Sequence, residues 1–414
     1  MTSLTYNDDI LYFNSKNILQ IAKSYQTPFY LYSENIIIDN LNEYQTSLQD
    51  IDSLICYSVK ANSSMYILSL LSKQGCGFDI VSGGELLKVI KAGGDPTKIV
   101  FSGVGKTEEE IVMALDQNIY CFNVESMSEL YRLNNIACDK KKEAKIAIRV
   151  NPEINIDSHP YITTGMKDNK FGVSQTEAMA MYKNALSLSN IKIIGIDFHI
   201  GSQIEDANPY KESILKVLEI TELLKKENIS INHIDIGGGL GIKYEKENIS
   251  SIGNFIENIV NLLSKTDLKL IVEPGRSIVG NSAILVTRVE YLKKTNTKNF
   301  IIVDAGMNDF IRPPLYGAFH SILEVVNKKI PAETYDVVGP ICESTDFFGK
   351  ERNFKVEEGD FLIIDNVGAY GSVLSSNYNL RRKPLELMII NDEVQVIRSR
   401  ETYDQLLSNE KTNV

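Results

Sequence analysis

LICYSVKAN, residues 54–62, decides how the rest of the chain reads. Leu54, Ile55 and Cys56 open an apolar run with the composition of a buried strand, and Lys60 stands at its end. Seven further runs of the same kind follow: Gly77–Val81, Lys98–Phe101, Tyr120–Val124, Ile146–Val150, Ile191–Ile200, Ile231–Ile236 and Leu268–Val272. Most are nearly continuously apolar, as strands covered on both faces are. Between them lie segments with helical spacing: Met65–Leu71, Glu85–Ala92, Glu108–Gln117, Ser126–Asn134, Gln175–Leu188, Tyr210–Lys226 and Ile252–Ser264. Eight strands, counting the first as Ile51–Val59, alternate with helices, and this predicts an α/β fold of the parallel (β/α)8, TIM-barrel type.

After Gly280 the pattern changes to short strand-like runs separated by turn residues: Ala283–Leu292, Phe300–Asp304, Tyr335–Gly339, Asp360–Asp365, Glu386–Ile390 and Glu393–Ile397. They predict an antiparallel β domain of sandwich or barrel type, joined by Thr27–Tyr32. The expected division is a barrel over 33–280 and a β domain over 1–32 and 281–414. The segment from Asn151 to Gly172 is long, polar and turn-rich, and such loops on compact domains are usually functional.

The 414 residues carry a net charge of −11 with Lys and Arg dispersed among the acids, which argues against a nucleic-acid surface and for small-molecule partners. Met1–Asp9 lacks the charge and apolar run of a signal peptide, and no apolar run is long enough for a membrane span, so a cytoplasmic location is expected. Five cysteines without a CxxC pair predict neither a disulfide framework nor a zinc site.

On a (β/α)8 barrel the chemistry gathers at the C-terminal ends of the strands. Lys60 follows the first run, Asp79 and Ser82 flank the end of the second, and His199 and Ser202 end the sixth. Gly237, Gly238 and Gly239 follow the seventh, and Glu273, Gly275 and Arg276 follow the eighth. A lysine after a strand is ordinarily a surface residue whose stem lies along apolar neighbours. On the barrel rim it is a candidate for Schiff-base chemistry, because a partly desolvated amine loses its proton readily. Successive glycine amides let a phosphate approach closely, and Arg276 after the next strand adds charge. As a free-standing motif the triple glycine is only a tight turn, and its late position disfavours a dinucleotide fold. An amine, a phosphate cradle and a carboxylate together are what pyridoxal 5'-phosphate requires. Glu273 would hold the ring nitrogen protonated, and His199 would stack on the ring.

CYSVKAN, FDIVSGGE, HPYITTG with KFG, FHIGSQ, HIDIGGG, EPGR, CESTD and Gly368–Tyr370, in this order over nearly the whole chain, resemble the fold-type III pyridoxal phosphate decarboxylases, whose barrel is of the alanine racemase type. The resemblance is strongest to those acting on meso-2,6-diaminopimelate in the last step of lysine synthesis. It implies that Lys60 carries the cofactor and His199 stacks on it. Asp79, Ser202, Gly237–Gly239, Glu273, Gly275, Arg276 and Tyr370 would complete the cofactor site. Arg276, Arg312, Tyr316, Glu343 and Tyr370 would hold the substrate, and Cys342 would return a proton to the carbon that lost carbon dioxide. It also implies a homodimer in which Cys342 and Glu343 serve the partner's site.

A carboxylate about to leave should be desolvated and unpaired, since an arginine on it would stabilise the ground state. Arg276 and Arg312 are therefore expected to clasp a second, distal carboxylate, with Glu343 meeting the distal ammonium. That zwitterionic distal centre favours diaminopimelate over basic amino acids; a carboxynorspermidine or basic amino acid decarboxylase of the same fold is the alternative. A carrier built on the bare barrel and a racemase are readings from other classes, the first disfavoured by the second domain. Cys56, Cys76, Cys121 and Cys138 are expected to be structural, His233 and His320 to be packing residues, and His159 to shape substrate entry. Lys170 is without an assigned role.

Overall fold

The computed structural model describes residues 4–152, 170–264 and 266–412. It divides into two compact units, one of Asn40–Lys243 with Glu247–Ile278, the other of Met1–Asp39, Tyr244–Lys246 and Val279–Val414.

The first unit is a closed, eight-stranded parallel barrel. Its strands, in chain order, are Ser53–Ser58, Gly77–Ile80, Ile99–Phe101, Cys121–Val124, Ala144–Arg149, Ile191–Asp197, His233–Asp235 and Lys269–Val272. Each pairs with its neighbours in sequence, and the last pairs with the first through Leu270–Ser53 and Val272–Ile55. The connecting helices begin where polar side chains satisfy the free amides of a first turn. Ser82 caps Gly83–Lys91 and Ser126 caps Met127–Asp139. Thr107 with Glu110 and Ser174 with Glu177 form reciprocal capping boxes on Glu108–Gln117 and Gln175–Ala185.

The helix Glu34–Ser47, which leads into the barrel, has no counterpart among the predicted elements. Its buried Ile37, Leu41 and Tyr44, followed by Leu48, have the spacing of one helical face, so a signal for it exists in the sequence.

The barrel interior has two chemically different levels. Cys56, Val100 and Ile271 pack with Tyr120, and Cys121, Ala147 and Ile194 pack with the same Tyr120. His233 lies at this level, beside Tyr120. A Cβ on Gly195 would stand 2.1 Å from Nε2 of His233, so only glycine leaves room for the imidazole. Two residues further along the same strands stand Ser58, Ser102, Asn123, Arg149, Asp197, Asp235 and Glu273, all buried. In a strand, residues two apart share a face, so these side chains form the next level toward the mouth.

The second unit is a β unit. Its nine-stranded sheet runs Phe347–Phe354, Glu333–Val338, Asn299–Val303, Ala283–Lys294, Phe29–Ser33, Leu385–Ile390 and Glu393–Arg398, with Phe361–Ile364 also on Ala283–Lys294 and Ile322–Glu324 on Phe361–Ile364. The pairing is mostly antiparallel, as expected, and two pairs are parallel. Phe29–Ser33 runs parallel to Leu385–Ile390, and Asn299–Val303 parallel to Glu333–Val338. Alternating patterns do not distinguish the two directions, because both place residues two apart on one face. Three short strands within Leu4–Asn17 and the helix Ile18–Ser24 lie ahead of this sheet. Leu11, Phe13, Ile18, Phe29, Leu31, Ile284, Val286, Ile363 and Leu387 form its main apolar core.

Candidate active site

Lys60 does not lie in a strand. The first strand ends at Ser58, and Lys60 is the middle residue of the 3-10 turn Val59–Ala61. Three bonds hold that turn: Tyr57 Oη donates to the Asn62 carbonyl at 2.9 Å, the Ser58 amide to the Pro274 carbonyl at 3.1 Å, and the Ser64 amide to Asn62 Oδ1 at 3.0 Å. The amine reaches Asp79 Oδ2 at 2.7 Å, and Ser58 Oγ donates to the same oxygen at 2.7 Å. The Lys60 side chain is 38% exposed while that of Asp79 is fully buried. The ends of the first two strands thus meet through a direct ion pair.

Beneath Lys60 the acids accumulate. Asp197, Asp235 and Glu273 bring ligand oxygens within 4.8 Å of one another, all buried. The pKa of each is raised above the ordinary carboxylate range, first by burial. Mutual repulsion adds to the rise for Glu273, which faces Asp235, Asp79 and Asp197, and for Asp197, which faces Asp235. Arg149 offsets part of this: it donates to Glu125 Oε1 at 3.1 Å and lies 3.8 Å from Asp197 Oδ2. Ser102 Oγ reaches Glu273 Oε1 at 3.5 Å and accepts from Asn123 Nδ2 at 3.2 Å. Such a concentration of acid at one level is best relieved by a cation, or by protons.

The glycines lie around the same mouth. Gly237 and Gly239 have φ of +68° and +116°. A Cβ on Gly238 would stand 2.1 Å from the Glu273 carbonyl, and one on Gly239 would stand 2.4 Å from the Gly201 carbonyl. The glycines are thus required by the neighbouring backbone itself, not only by an approaching ligand. The Gly237 amide donates to Asp235 Oδ1 at 2.9 Å. The amides of Gly238 and Gly239 have no acceptor among the described residues, which leaves two donors side by side. Arg276, buried at the start of Arg276–Val279, donates from Nη2 to Ser202 Oγ at 3.0 Å. Gly275 lies against the first strand's end, where a Cβ would meet Ala61 Cβ at 2.9 Å and Ser58 Cβ at 3.0 Å. His199 lies over Gly237, whose Cβ would meet its Nδ1 at 2.5 Å. Its pKa is pushed well down by burial and by the positive charges of Arg149 and Lys60, so the ring is neutral.

Pyridoxal phosphate fits this donor set. The free amides of Gly238 and Gly239, beside Ser202 and Arg276, suit a phosphate, the Lys60 amine suits a carbonyl carbon, and the buried acids suit a protonated ring nitrogen.

Polar residues missed by the sequence reading share a signal. Ser58, Arg149, Asp197 and Asp235 are the last residues of their largely apolar strands, and Asn123 is the next to last of its own. Glu85 was missed as well: it accepts from the Val81 amide at 2.7 Å, and burial pushes its pKa up to about 7, with the Asp79 charge adding to the rise and Lys60 opposing it.

The remaining predicted residues belong to the β unit. Arg312 opens the short helix Arg312–Tyr316, with Pro313 and Pro314 following it and Gly317 in the left-handed conformation at its end. Its guanidinium is 5.2 Å from the Tyr244 ring and 5.9 Å from the Tyr316 ring. Arg312 Nε donates to His320 Nε2 at 3.3 Å, and His320 Nδ1 lies 2.8 Å from the Asp365 carbonyl. His320, expected only to pack, therefore holds Arg312 in place: an Nδ1–H bonded to the carbonyl leaves Nε2 as acceptor. Cys342 and Glu343 are exposed. The Cys342 amide donates to Asn379 Oδ1 at 3.0 Å, and Tyr378 Oη donates to Glu343 Oε1. Tyr370 is half-buried with φ of +55°.

Cys56, Cys76 and Cys121 are buried, with thiol pKa values raised by burial, while Cys138 is exposed. His233 is buried by Tyr120 and Gly195. His159 lies outside the described residues. Lys170 lies 5.1 Å from the Phe171 ring.

Comparison with known proteins agrees with this geometry. Residues 34–280 match the family model described as the pyridoxal binding domain of pyridoxal-dependent decarboxylases. The chain is 45% identical over 391 residues to diaminopimelate decarboxylase of Neisseria meningitidis serogroup A, covering 94% of this chain and 96% of that one. It is 44% identical over 410 residues to the Pseudomonas aeruginosa enzyme of the same name, covering 99% of both. Among solved structures, diaminopimelate decarboxylase of Helicobacter pylori complexed with L-lysine superposes with a TM-score of 0.91 at 44% identity, over 95% of this chain and 98% of that one. The M. jannaschii enzyme with L-lysine gives 0.94 at 37% identity, over 100% and 99%. With a barrel mouth suited to the cofactor and relatives alike along their whole length, this chain belongs to the pyridoxal-dependent decarboxylases and, within them, to the diaminopimelate decarboxylase family.

Proposed function

We propose that this protein decarboxylates meso-2,6-diaminopimelate to L-lysine and carbon dioxide with pyridoxal 5'-phosphate. The observation that carries the reading is Lys60, held 2.7 Å from Asp79 above the buried carboxylates of Asp197, Asp235 and Glu273. Pyridoxal phosphate, when bound, supplies an electron sink for the pair left behind when carbon dioxide departs.

The chain's own groups have separate tasks. Lys60 holds the cofactor through its amine, and Asp79 orients that amine. Glu273 keeps the ring nitrogen protonated, since an ion pair there lowers the energy of both charges. Gly238 and Gly239 offer amides to the phosphate, assisted by Ser202 and Arg276. Gly237 and Gly275 have no Cβ, which lets His199 and the first strand's end close in around the ring. The neutral His199 adds a flat face without adding positive charge. Arg312, fixed by His320 and by the Tyr244 and Tyr316 rings, grips the distal carboxylate together with Arg276, while Glu343 takes the distal ammonium and Tyr370 lines the same site. Cys342 gives its proton to the carbon that lost carbon dioxide; its exposure supports a reactive thiol. We place Cys342 and Glu343 in the partner's site of a homodimer, and the protein in the cytoplasm. No described helix is long and apolar enough to cross a membrane.

Purified protein should release carbon dioxide from meso-diaminopimelate in a pyridoxal phosphate-dependent manner and leave ornithine, lysine and carboxynorspermidine unchanged. Preference for any of these three would overturn the substrate. Cys342→Ala should keep the cofactor and lose about 10²-fold in kcat. Mixed dimers of Lys60→Ala and Cys342→Ala chains should regain activity if sites are shared; verified mixed dimers that stay inactive would place both residues within one chain.

A further inference from the structure

Away from the barrel, the β unit contains a cavity of about 400 Å³. Arg381, Arg382 and Arg400 line it together with Asn379, Leu380 and Tyr403. None of the three guanidinium groups forms an ion pair among the described residues. Arg400 Nη2 donates to the carbonyls of Gln26 at 2.7 Å and Pro28 at 2.6 Å, and Arg381 Nη2 to the Asp304 carbonyl at 2.7 Å. Arg382 lies over the Tyr403 ring at 4.8 Å. Carbonyls and a ring leave the net charge in place.

The acids on the cavity wall act on these arginines through space, while their hydrogen bonds and ion pairs go to other groups. Asp304 accepts from Thr27, Thr287 and the Arg288 amide. Asp309, almost wholly buried, accepts from the Gly306 amide and from Asn308. Glu290 lies 3.6 Å from Arg288. The pKa of Arg400 is lowered first by burial and next by Arg382, with Arg381 adding to the fall and the charges of Asp309 and Asp304 opposing it. Three guanidinium groups that line one cavity and form no ion pair among the described residues offer a multidentate anion site, since each planar fork matches a carboxylate or phosphate.

This cavity also adjoins the exposed Cys342–Glu343 segment. Asn379 and Leu380, on the cavity wall, are consecutive non-glycine residues with φ of +53°, a conformation that neighbouring contacts must hold. Asn379 holds the Cys342 amide, Tyr378 holds Glu343, and Asn377 donates to the Arg381 carbonyl at 3.0 Å. A ligand drawing Arg381 and Arg382 inward acts on the backbone that fixes Cys342.

We propose that this arginine-lined cavity binds a small molecule carrying two or more acidic groups, carboxylate or phosphate, and that its occupancy changes the setting of Cys342. The consequence for turnover rests on the proton-donor reading of Cys342, but the test does not.

The cofactor-loaded protein should be titrated calorimetrically with inorganic pyrophosphate, with citrate, and with acetate as a monovalent control. The expected result is one saturable site per chain for pyrophosphate, for citrate or for both, identifying phosphate or carboxylate as the natural group. Arg382→Gln should weaken it ~10- to 100-fold, with Arg382→Lys intermediate. Saturation should change the iodoacetamide labelling rate of Cys342 in the parent protein and not in Arg382→Gln. Absence of saturable binding, or equal affinity in Arg382→Gln, overturns the site. Dissociation of the Arg382→Gln assembly in sedimentation, with anion binding retained, overturns it in favour of a second copy's carboxylate in the cavity. Unchanged labelling at saturation overturns the coupling to Cys342. Should Cys342→Ala retain full activity, the proton-donor reading fails while the binding and labelling results stand.

Discussion

Two levels of one barrel, separated by two residues along each strand, have opposite chemistry. The level around Tyr120, with Cys56, Val100, Cys121, Ala147 and Ile271, is apolar, and its thiols are held protonated by burial. The level above holds Asp79, Asp197, Asp235 and Glu273 against Arg149 and Lys60. Both levels hang from the same eight strands and the same hydrogen-bond ladder. The lower level makes the barrel a packed core, and the upper level is an unfavourable charge arrangement that such a core can hold in place. Fold and chemistry are thus divided by height along the strand.

The largest effect should come from Lys60, the half-buried cation of the upper level. Lys60→Ala should remove the visible absorbance of bound cofactor and essentially all turnover; a variant that keeps both breaks the division. Next, Glu273→Gln should keep the fold and the bound cofactor while lowering kcat about 10²-fold, as loss of a preorganised electrostatic partner does. A wild-type rate would make Glu273 one buried acid among several.

The pH dependence of stability should have opposite sign at the two levels. The pKa of His233 is lowered from 6.5 to about 4, first by burial. The unfolded chain takes up a proton below about pH 6.5 that the folded chain refuses until about pH 4, so stability is lost as pH falls through this window. The contribution is ~3 kcal/mol, and His233→Phe should remove that slope in urea unfolding followed from pH 7 to 4. The acids above are shifted upward, so their contribution is present below the ordinary carboxylate pKa and lost as pH rises through their raised values. Cofactor-free Asp235→Asn should therefore gain stability at pH 8 relative to the parent and show little gain at pH 4; an equal gain at both would assign the effect to packing. The smallest effect belongs to Cys121→Ala, a loss of about 1 kcal/mol from the lower level with activity unchanged.

The same division explains what could be read from sequence. The strand runs were legible because both faces of each are covered, which makes them apolar over most of their length. Lys60, His199, the triple glycine and Glu273 were legible because they interrupt or follow those runs. Ser58, Asn123, Arg149 and Asp235 were not, because one polar residue at the end of an apolar run resembles an ordinary strand boundary. Only closure of the barrel sets it against residues from strands far away in sequence. His320 was illegible for a similar reason: its link to Arg312 depends on the Asp365 carbonyl, 45 positions away. The parallel neighbours within the β sheet, joining residues 29–33 to 385–390, left no local trace at all.

That last pairing has a consequence for how the molecule is made. Phe29–Ser33 is bracketed by Ala283–Lys294 on one side and Leu385–Ile390 on the other, and the barrel ring is sealed only when Lys269–Val272 meets Ser53–Ser58. During synthesis this strand emerges from the ribosome long before either neighbour exists, so its backbone donors and acceptors do not have both partners until residues 385–390 have been translated. Nascent chains stalled before residue 385 should therefore be heavy clients of chaperones, and release of the last thirty residues should mark the moment at which protease resistance appears.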